Sequence, residues 1–437
     1  MLSLTKNLSL QERLLEQYDK SYEGNGILGE RIAHRLSELS KIGLTADNGS
    51  NRPGFSLAEK QAKELIKTWM LKAGLSISED GAGNVFGRLT GKEDHLPAIM
   101  SGSHVDSVPN GGHFDGPLGV LAALEVVEAW KETDYRPRKP FEVAIFTDEE
   151  GSRFNNGLNG SEALIGKANV EEKIELQDEE GRSFAEVLQD VGLSVQGYAE
   201  AGRQLDEIEL FVEVHIEQGK RLEKEELPCG IVTGIAGPCW LEFTFDGEAG
   251  HAGNTPMDDR KDALVAASDF VMKVNQLPRQ INDSAVATIG KLQVEPNGVN
   301  VIPGKVTLYV DIRDIYKETR DELVNCVLSL SKEIADTYHI QVNHEEKVRV
   351  HPVPIAEDIQ QVLEQALLEH GISPYKLPSG AGHDAMILGE KIPVAMIFTQ
   401  SKNGISHNPA EWSSLSDCVQ TVQVLKTFVE SLQHDRR

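Results

Sequence analysis

The stretch Ala98-Ile99-Met100-Ser101-Gly102-Ser103-His104-Val105-Asp106 begins apolar and ends in small, polar and acidic side chains. The apolar part, Leu96–Met100, reads as a short buried strand that runs into a polar loop. Three more runs share this pattern: Val143–Phe146, Leu210–Val214 and Val394–Phe398. A helix-like stretch, Leu118–Trp130, separates the first two. Strands alternating with helices predict an α/β sheet that is at least partly parallel.

Outward from this core the pattern changes. The first two dozen residues read as a polar helix ending near Gly24-Asn25-Gly26. Ile27–Leu39 has helical spacing. Ser56–Ala73 is amphipathic, with Ser56 as N-cap and Glu59 three residues on as a capping box. The middle of the chain reads as strand Trp240–Phe245, helix Asp259–Val274, strands Ala285–Val294 and Lys305–Ile312, helix Thr319–Tyr338 and strand Ile340–Val348. That order is βαββαβ, the ferredoxin-like pattern. The expected organisation is an N-terminal extension over 1–24, a catalytic α/β domain over 25–235 and 353–437, and a smaller domain over 236–352 inserted into it.

A chain of 437 residues exceeds the usual domain size of about 100–150. A net charge of −26 repels phosphate backbones and anionic lipid, which argues against nucleic-acid and membrane partners. Cys229, Cys239, Cys326 and Cys418 form no close pair and no disulfide framework. The N-terminus has no apolar core of a signal peptide, and no stretch of about 18 apolar residues occurs. A reducing, cytoplasmic setting is expected.

Ligands of open α/β sheets bind beyond the carboxyl ends of the strands. Those ends carry Ser101–Asp106, Thr147-Asp148-Glu149-Glu150, His215-Ile216-Glu217-Gln218 and Gly404-Ile405-Ser406-His407. The loop Gly111–Pro117 holds His113 and Asp115. Three histidines and two carboxylates suit two divalent ions that share a bridging carboxylate. His104 and Asp106 are two apart and share a face of an extended strand, so Asp106 can fix the imidazole tautomer. Glu149 and Glu150 are adjacent and point differently, so one can bind metal while the other takes a proton. His34, His95, His339, His344, His370 and His434 lack such surroundings and read as structural or exposed; His351 is assigned no role.

These motifs, with Phe146–Phe154, Val212–Gly219, Gly247–Pro256, Asn297–Pro303, Ser379–Ala385 and Gly404–Trp412, resemble the hydantoinase/carbamoylase amidases. That family is a branch of the di-metal aminoacylase/carboxypeptidase superfamily. The resemblance runs from about Gly29 to Glu430. It implies a di-metal hydrolase domain with a mixed, mostly parallel sheet and an inserted ferredoxin-like lid and dimerisation domain, with hinges near residues 235 and 353. It implies that His104, Asp115 and His215 bind one divalent ion (Zn, Mn, Co or Ni) and that Asp115, Glu150 and His407 bind the other. Glu149 would be the general base, with Asp106 supporting the site. His251 would reach the active site of a second copy in a homodimer and polarise the scissile carbonyl. Gln218, Asn300, Arg313 and His383 would hold the substrate. For Arg313 a bidentate clamp on a carboxylate makes physical sense, and the plainer reading is a surface pair with Asp311 or Asp314.

The resemblance implies a small-molecule substrate with a linear carbamoyl or ureido group. N-carbamoyl-L-amino acids come first, with hydrolysis to ammonia, carbon dioxide and the amino acid. Allantoate is the alternative, on Gly382–Ala385 and Asn403–Glu411; Arg153–Gly166 and Glu411-Trp412 lean toward the carbamoylases. A peptidase or N-acyl deacylase is opposed by His215, where related peptidases carry a carboxylate, and by Phe114–Gly119.

Overall fold

The computed structural model describes residues 8–434. Fifteen strands follow in chain order: β1 (Ser76–Glu79), β2 (Val85–Leu89), β3 (Ala98–His104), β4 (Phe141–Phe146), β5 (Ile208–Ile216), β6 (Cys229–Ile235), β7 (Cys239–Asp246), β8 (Gly250–His251), β9 (Val286–Glu295), β10 (Val301–Ile302), β11 (Lys305–Arg313), β12 (Gln341–Arg349), β13 (Val353–Pro354), β14 (Lys376–Ser379) and β15 (Val394–Thr399). The described chain forms two compact units. One holds residues up to Thr233, Ile355–Leu377 and the chain from His383 onward; the other holds Gly234–Pro354 and Pro378–Gly382.

In the first unit the sheet runs in the order β1-β2-β4-β3-β5-β15-β6. Neighbours β4-β3, β3-β5 and β5-β15 are parallel, whereas β1-β2, β2-β4 and β15-β6 are antiparallel. The fold is therefore mixed α/β with a parallel centre. Its four central strands are almost wholly buried, as continuous apolar runs covered on both faces should be. Parallel pairing in register, with His104 opposite Phe146 and Phe398 opposite His215, brings the carboxyl ends of all four to one edge. Helix Pro117–Glu132 packs on β3 and β5 and against helix Leu415–Ser431. Gly119 permits this approach, because a Cβ there would stand 2.2 Å from the Val214 carbonyl oxygen.

The second unit contains a four-stranded antiparallel sheet in the order β12-β7-β11-β9. Helices Ala263–Val274 and Lys317–Tyr338 share its core with Phe243, Phe245, Phe270, Leu308 and Leu323.

Three local expectations are corrected. The N-terminal polar helix is confined, among the described residues, to Leu10–Leu15, followed by a 3-10 turn at Lys20–Tyr22; residues 1–7 lie outside the described chain. The Asp19 carboxylate accepts the Ser21 amide at 2.8 Å, a local bond that competes with helix propagation. The helix expected from Asp259 starts at Ala263, because Asp262 caps it by accepting the amides of Leu264 and Val265. At Ser56 only half of the capping box forms. Ser56 accepts the Glu59 amide, but the Glu59 carboxylate receives the Phe55 amide at 2.6 Å and pairs with Lys63.

Candidate metal centre

The parallel strand ends bring His104, Asp115, Glu149, Glu150, His215 and His407 into one cluster within the first unit. His104 is the last residue of β3. Its Nδ1 lies 3.2 Å from the Asp106 carbonyl oxygen, which can only accept, so Nδ1 carries a proton and Nε2 is left to take a second proton or a cation. His215 near the end of β5 repeats the device, with Nδ1 3.0 Å from the Ile216 carbonyl. Both Nε2 atoms face Asp115 Oδ1, at 3.8 Å from His104 and 3.0 Å from His215. The other oxygen of Asp115 faces His407 Nε2 at 3.3 Å, and Glu150 Oε2 lies at 3.3 Å from the same nitrogen.

Asp115 stands just before helix Pro117–Glu132. Gly116 between them has φ +80°, and a Cβ there would meet the His104 ring at 2.5 Å, so the sequence Asp-Gly-Pro is what lets carboxylate and imidazole close up. The carboxylate also receives Gln218 Nε2 at 2.8 Å and Ser406 Oγ at 2.6 Å. Beneath the loop, buried Glu411 accepts the amides of Phe114 and Asp115 at 2.8 and 3.1 Å.

Asp106 corrects its expected placement. It lies past the end of β3 rather than on it. Its Oδ1 is 3.4 Å from His104 Nδ1, and its carboxylate accepts the backbone amides of Glu149 at 3.2 Å and Glu150 at 3.1 Å. With those amides fixed, the adjacent side chains part as expected, Glu149 toward His104 Nε2 at 3.7 Å and Glu150 toward His407.

Electrostatics follow from burying these groups together. Burial, reinforced by Glu150, Asp384 and Asp106, holds Glu149 well above the ordinary carboxylate range against the pull of His104. Burial and the Asp115 charge push Glu150 up to about 7. Asp115 is held well below its ordinary value, because the charges and hydrogen bonds of His215, His407 and His104 outweigh its burial. The hydrogen bond to Asp115 takes His407 up to about 9.

This arrangement fits divalent cations. His104 Nε2 is buried without a hydrogen bond, although it faces two carboxylates. An imidazole lone pair set against a carboxylate oxygen calls for a cation or a proton between them. Ligand atoms about 2.0–2.2 Å from a tetrahedral ion stand roughly 3.3 Å apart, close to the spacings seen here. Two sets of His and carboxylate donors can hold a metal, His104/Asp115/His215 and Asp115/Glu150/His407, meeting at Asp115. A third set, Glu213/His215/His383, shares His215; Glu213 already accepts Ser103 Oγ and the Ala385 amide.

Of the residues expected to hold substrate, Gln218 is bonded to Asp115, and His383 is buried with its ring 4.4 Å from that of His215. Burial keeps His383 well below the usual imidazole range, hence neutral. His251, Asn300 and Arg313 lie in the second unit. His251 opposes Val301 on β10, next to Asn300, whose carbonyl accepts the Ala252 amide. His251 Nδ1 accepts the amides of Gly253 and Asn254, so its neutral ring carries the proton on Nε2, exposed and able to donate. Arg313 grips Asp311 through Nε and Nη2 and donates to the Gly380 carbonyl; Asp314 bonds instead to Ser284, Asn282 and Thr319. His113, buried, meets the Asn48 carbonyl through Nε2 at 2.8 Å. The supporting roles of Glu411, Ser406 and Glu213 had no signal beyond proximity to a motif, because each acts through a partner distant in sequence.

Among the described residues no helix is long and apolar enough to cross a membrane. A family model described as Peptidase family M20/M25/M40 matches residues 100–431. The chain is 42% identical over 399 residues to an N-carbamoyl-L-amino acid amidohydrolase of Geobacillus stearothermophilus, covering 91% of this chain and 97% of that one. It is 36% identical over 403 residues to an allantoate amidohydrolase of Bacillus subtilis (strain 168), covering 92% and 97%. The crystal structure of a hydantoinase/carbamoylase family amidase from Burkholderia multivorans matches with a TM-score of 0.87 at 34% identity, over 93% of this chain and 98% of that one. The chain thus belongs to peptidase family M20/M25/M40 and, within it, to the hydantoinase/carbamoylase amidases.

Proposed function

We propose that this amidohydrolase cleaves the carbamoyl C–N bond of N-carbamoyl-L-amino acids, releasing ammonia, carbon dioxide and the amino acid. The carrying observation is Asp115, whose two oxygens face two separate sets of histidine and carboxylate donors. His104, Asp115 and His215 would hold one divalent ion and Asp115, Glu150 and His407 the other; Zn, Mn, Co and Ni all suit such ligands. When bound, the ions supply Lewis acidity to the substrate carbonyl and a lowered pKa for water.

Glu149 takes the proton of the attacking water and passes it to the leaving nitrogen, a task its burial and raised affinity for protons support. Asp106 keeps Glu149 and Glu150 apart through their amides. His251 donates from Nε2 to the carbonyl oxygen as negative charge develops there. It does so in the site of a second copy of a homodimer. Arg313 clamps the substrate carboxylate, exchanging it for Asp311, while Gln218, Asn300 and His383 hold the ureido end. The strand order β12-β7-β11-β9 supports reading residues 236–352 as a ferredoxin-like lid and dimerisation domain, set between catalytic segments 25–235 and 353–437 and preceded by the extension 1–24. Four free cysteines support a cytoplasmic setting.

Allantoate is the second reading, favoured by the identity to the Bacillus relative and by Gly382-His383-Asp384-Ala385. The higher identity to the Geobacillus carbamoylase supports the first. The test is product release by metal-loaded protein from N-carbamoyl-L-amino acids, N-carbamoyl-β-alanine, allantoate, N-acetyl amino acids and dipeptides. Ammonia from N-carbamoyl-L-amino acids in preference to allantoate is the expected result. Amino acid without ammonia from acetyl compounds or dipeptides overturns it in favour of a deacylase or peptidase.

A further inference from the structure

The described chain opens with an arm that none of the chemistry above uses and that precedes the matched residues 100–431. Helix Leu10–Leu15 is closed by a capping box between Ser9 and Glu12, and it buries Leu14. Further on, the Asp19 amide donates to Ser416 Oγ at 3.3 Å, and Gln423 Nε2 donates to the carbonyls of Tyr22 and Gly24 at 3.3 and 3.0 Å. The arm is thereby tied to helix Leu415–Ser431.

Its exposed Arg13 lays the guanidinium over the indole of Trp412, 4.7 Å from the ring centroid. Indole is the strongest of the aromatic partners for such a cation. The Trp412 ring meets Phe114 edge-on, with centroids 5.7 Å apart and planes at 72°. Phe114 precedes Asp115, and the residue before Trp412, Glu411, accepts the amides of both. The loop that carries Asp115 is pinned at its start by the Ser50–Gly111 bridge and by His113 on the Asn48 carbonyl, and at Phe114–Asp115 by Glu411 and the Trp412 ring. Arg13 is the outer member of a stack that ends at Phe114, the residue before the candidate bridging carboxylate.

We propose that the N-terminal arm is a strap and Arg13 a positioning residue: stacked on Trp412, it holds the Phe114–Asp115 segment so that both carboxylate oxygens face their histidines. The part of this that concerns metal rests on the reading of Asp115 as a ligand. An isolated surface contact would leave the loop indifferent to Arg13, and this is the alternative to test.

The full chain, Arg13→Ala, Arg13→Lys and Asp115→Asn are compared by amide hydrogen exchange over Gly111–Pro117 and by zinc affinity in chelator competition. Arg13→Ala should speed exchange in that segment and weaken zinc binding about fivefold, while Arg13→Lys, which keeps a cation over the indole, restores most of both. Unchanged exchange over Gly111–Pro117 in Arg13→Ala overturns the strap, whatever the zinc result. Arg13→Lys as impaired as Arg13→Ala overturns the role of the cation. Asp115→Asn that keeps full zinc affinity and stoichiometry overturns the ligand reading alone, and the exchange measurement still decides the strap.

Discussion

Asp106 holds Glu149 and Glu150 by their main chain, which separates the position of Glu149 from its chemistry. Glu149→Gln keeps the amide that Asp106 accepts and keeps nearly the same shape, so the loop and both donor sets should survive. What it removes is the proton acceptor. If Glu149 is the base, the variant binds metal with unchanged stoichiometry and loses about 10²–10⁴ in kcat. Metal titration beside steady-state rates checks this, and full turnover in a metal-loaded variant removes Glu149 from the role. At this scale the histidines and carboxylates at strand ends were legible as metal-capable groups. Glu411 was not, because what it supports lies 297 residues away and a single glutamate near a histidine carries no pattern.

At the scale of elements, helix Leu415–Ser431 shows how a cap can carry a pH dependence. Ser414 caps it by accepting the Asp417 amide, and its hydroxyl donates to Asp417 Oδ2 at 2.6 Å. Burial raises the Asp417 carboxyl to about 6. In the unfolded chain its value is about 3.9. The folded state therefore binds the extra proton between these limits. The contribution to stability is fully present below about pH 3.9 and is lost as pH rises through about 6. Asp417→Asn, which keeps the acceptor for Ser414, should flatten that part of the stability profile and gain stability at pH 7. Urea denaturation from pH 4 to 7.5 checks the slope; an unaltered profile shows that Asp417 titrates elsewhere. Strands β3, β4, β5, β7, β9, β11, β12 and β15 and helices Gly29–Ser40, Leu57–Ala73, Pro117–Glu132, Ala263–Val274 and Lys317–Tyr338 were readable from period and turn chemistry, whereas β1, β2, β6 and helices Glu357–Glu369 and Leu415–Ser431 were not. The misplaced start at Asp259 and the misplaced end of the N-terminal helix arose where a short acidic side chain bonds its own backbone, a local choice that apolar periodicity does not register.

For the whole molecule, cations that bind the folded clusters and not the unfolded chain add stability by mass action, about 2.7 kcal/mol at a hundredfold excess over Kd. Chelation should therefore lower the melting temperature and reloading should restore it, as calorimetry can follow. His251→Ala should keep this metal-dependent shift while losing turnover, since His251 lies in the other compact unit; loss of the shift would mean that His251 belongs to the metal site. By itself the sequence determined that the chain is an α/β protein with polar, metal-capable groups after its apolar strands, because burial and backbone geometry impose those periods locally. It also determined the family resemblance, through ordered motifs. Only the tertiary structure decided which groups meet: the two faces of Asp115, the Asp106 carboxylate under two amides 43 and 44 residues on, and Arg13 stacked on Trp412. Such contacts depend on strand order and register, set by packing over the entire sheet, and nothing local to any one of those residues encodes its partner.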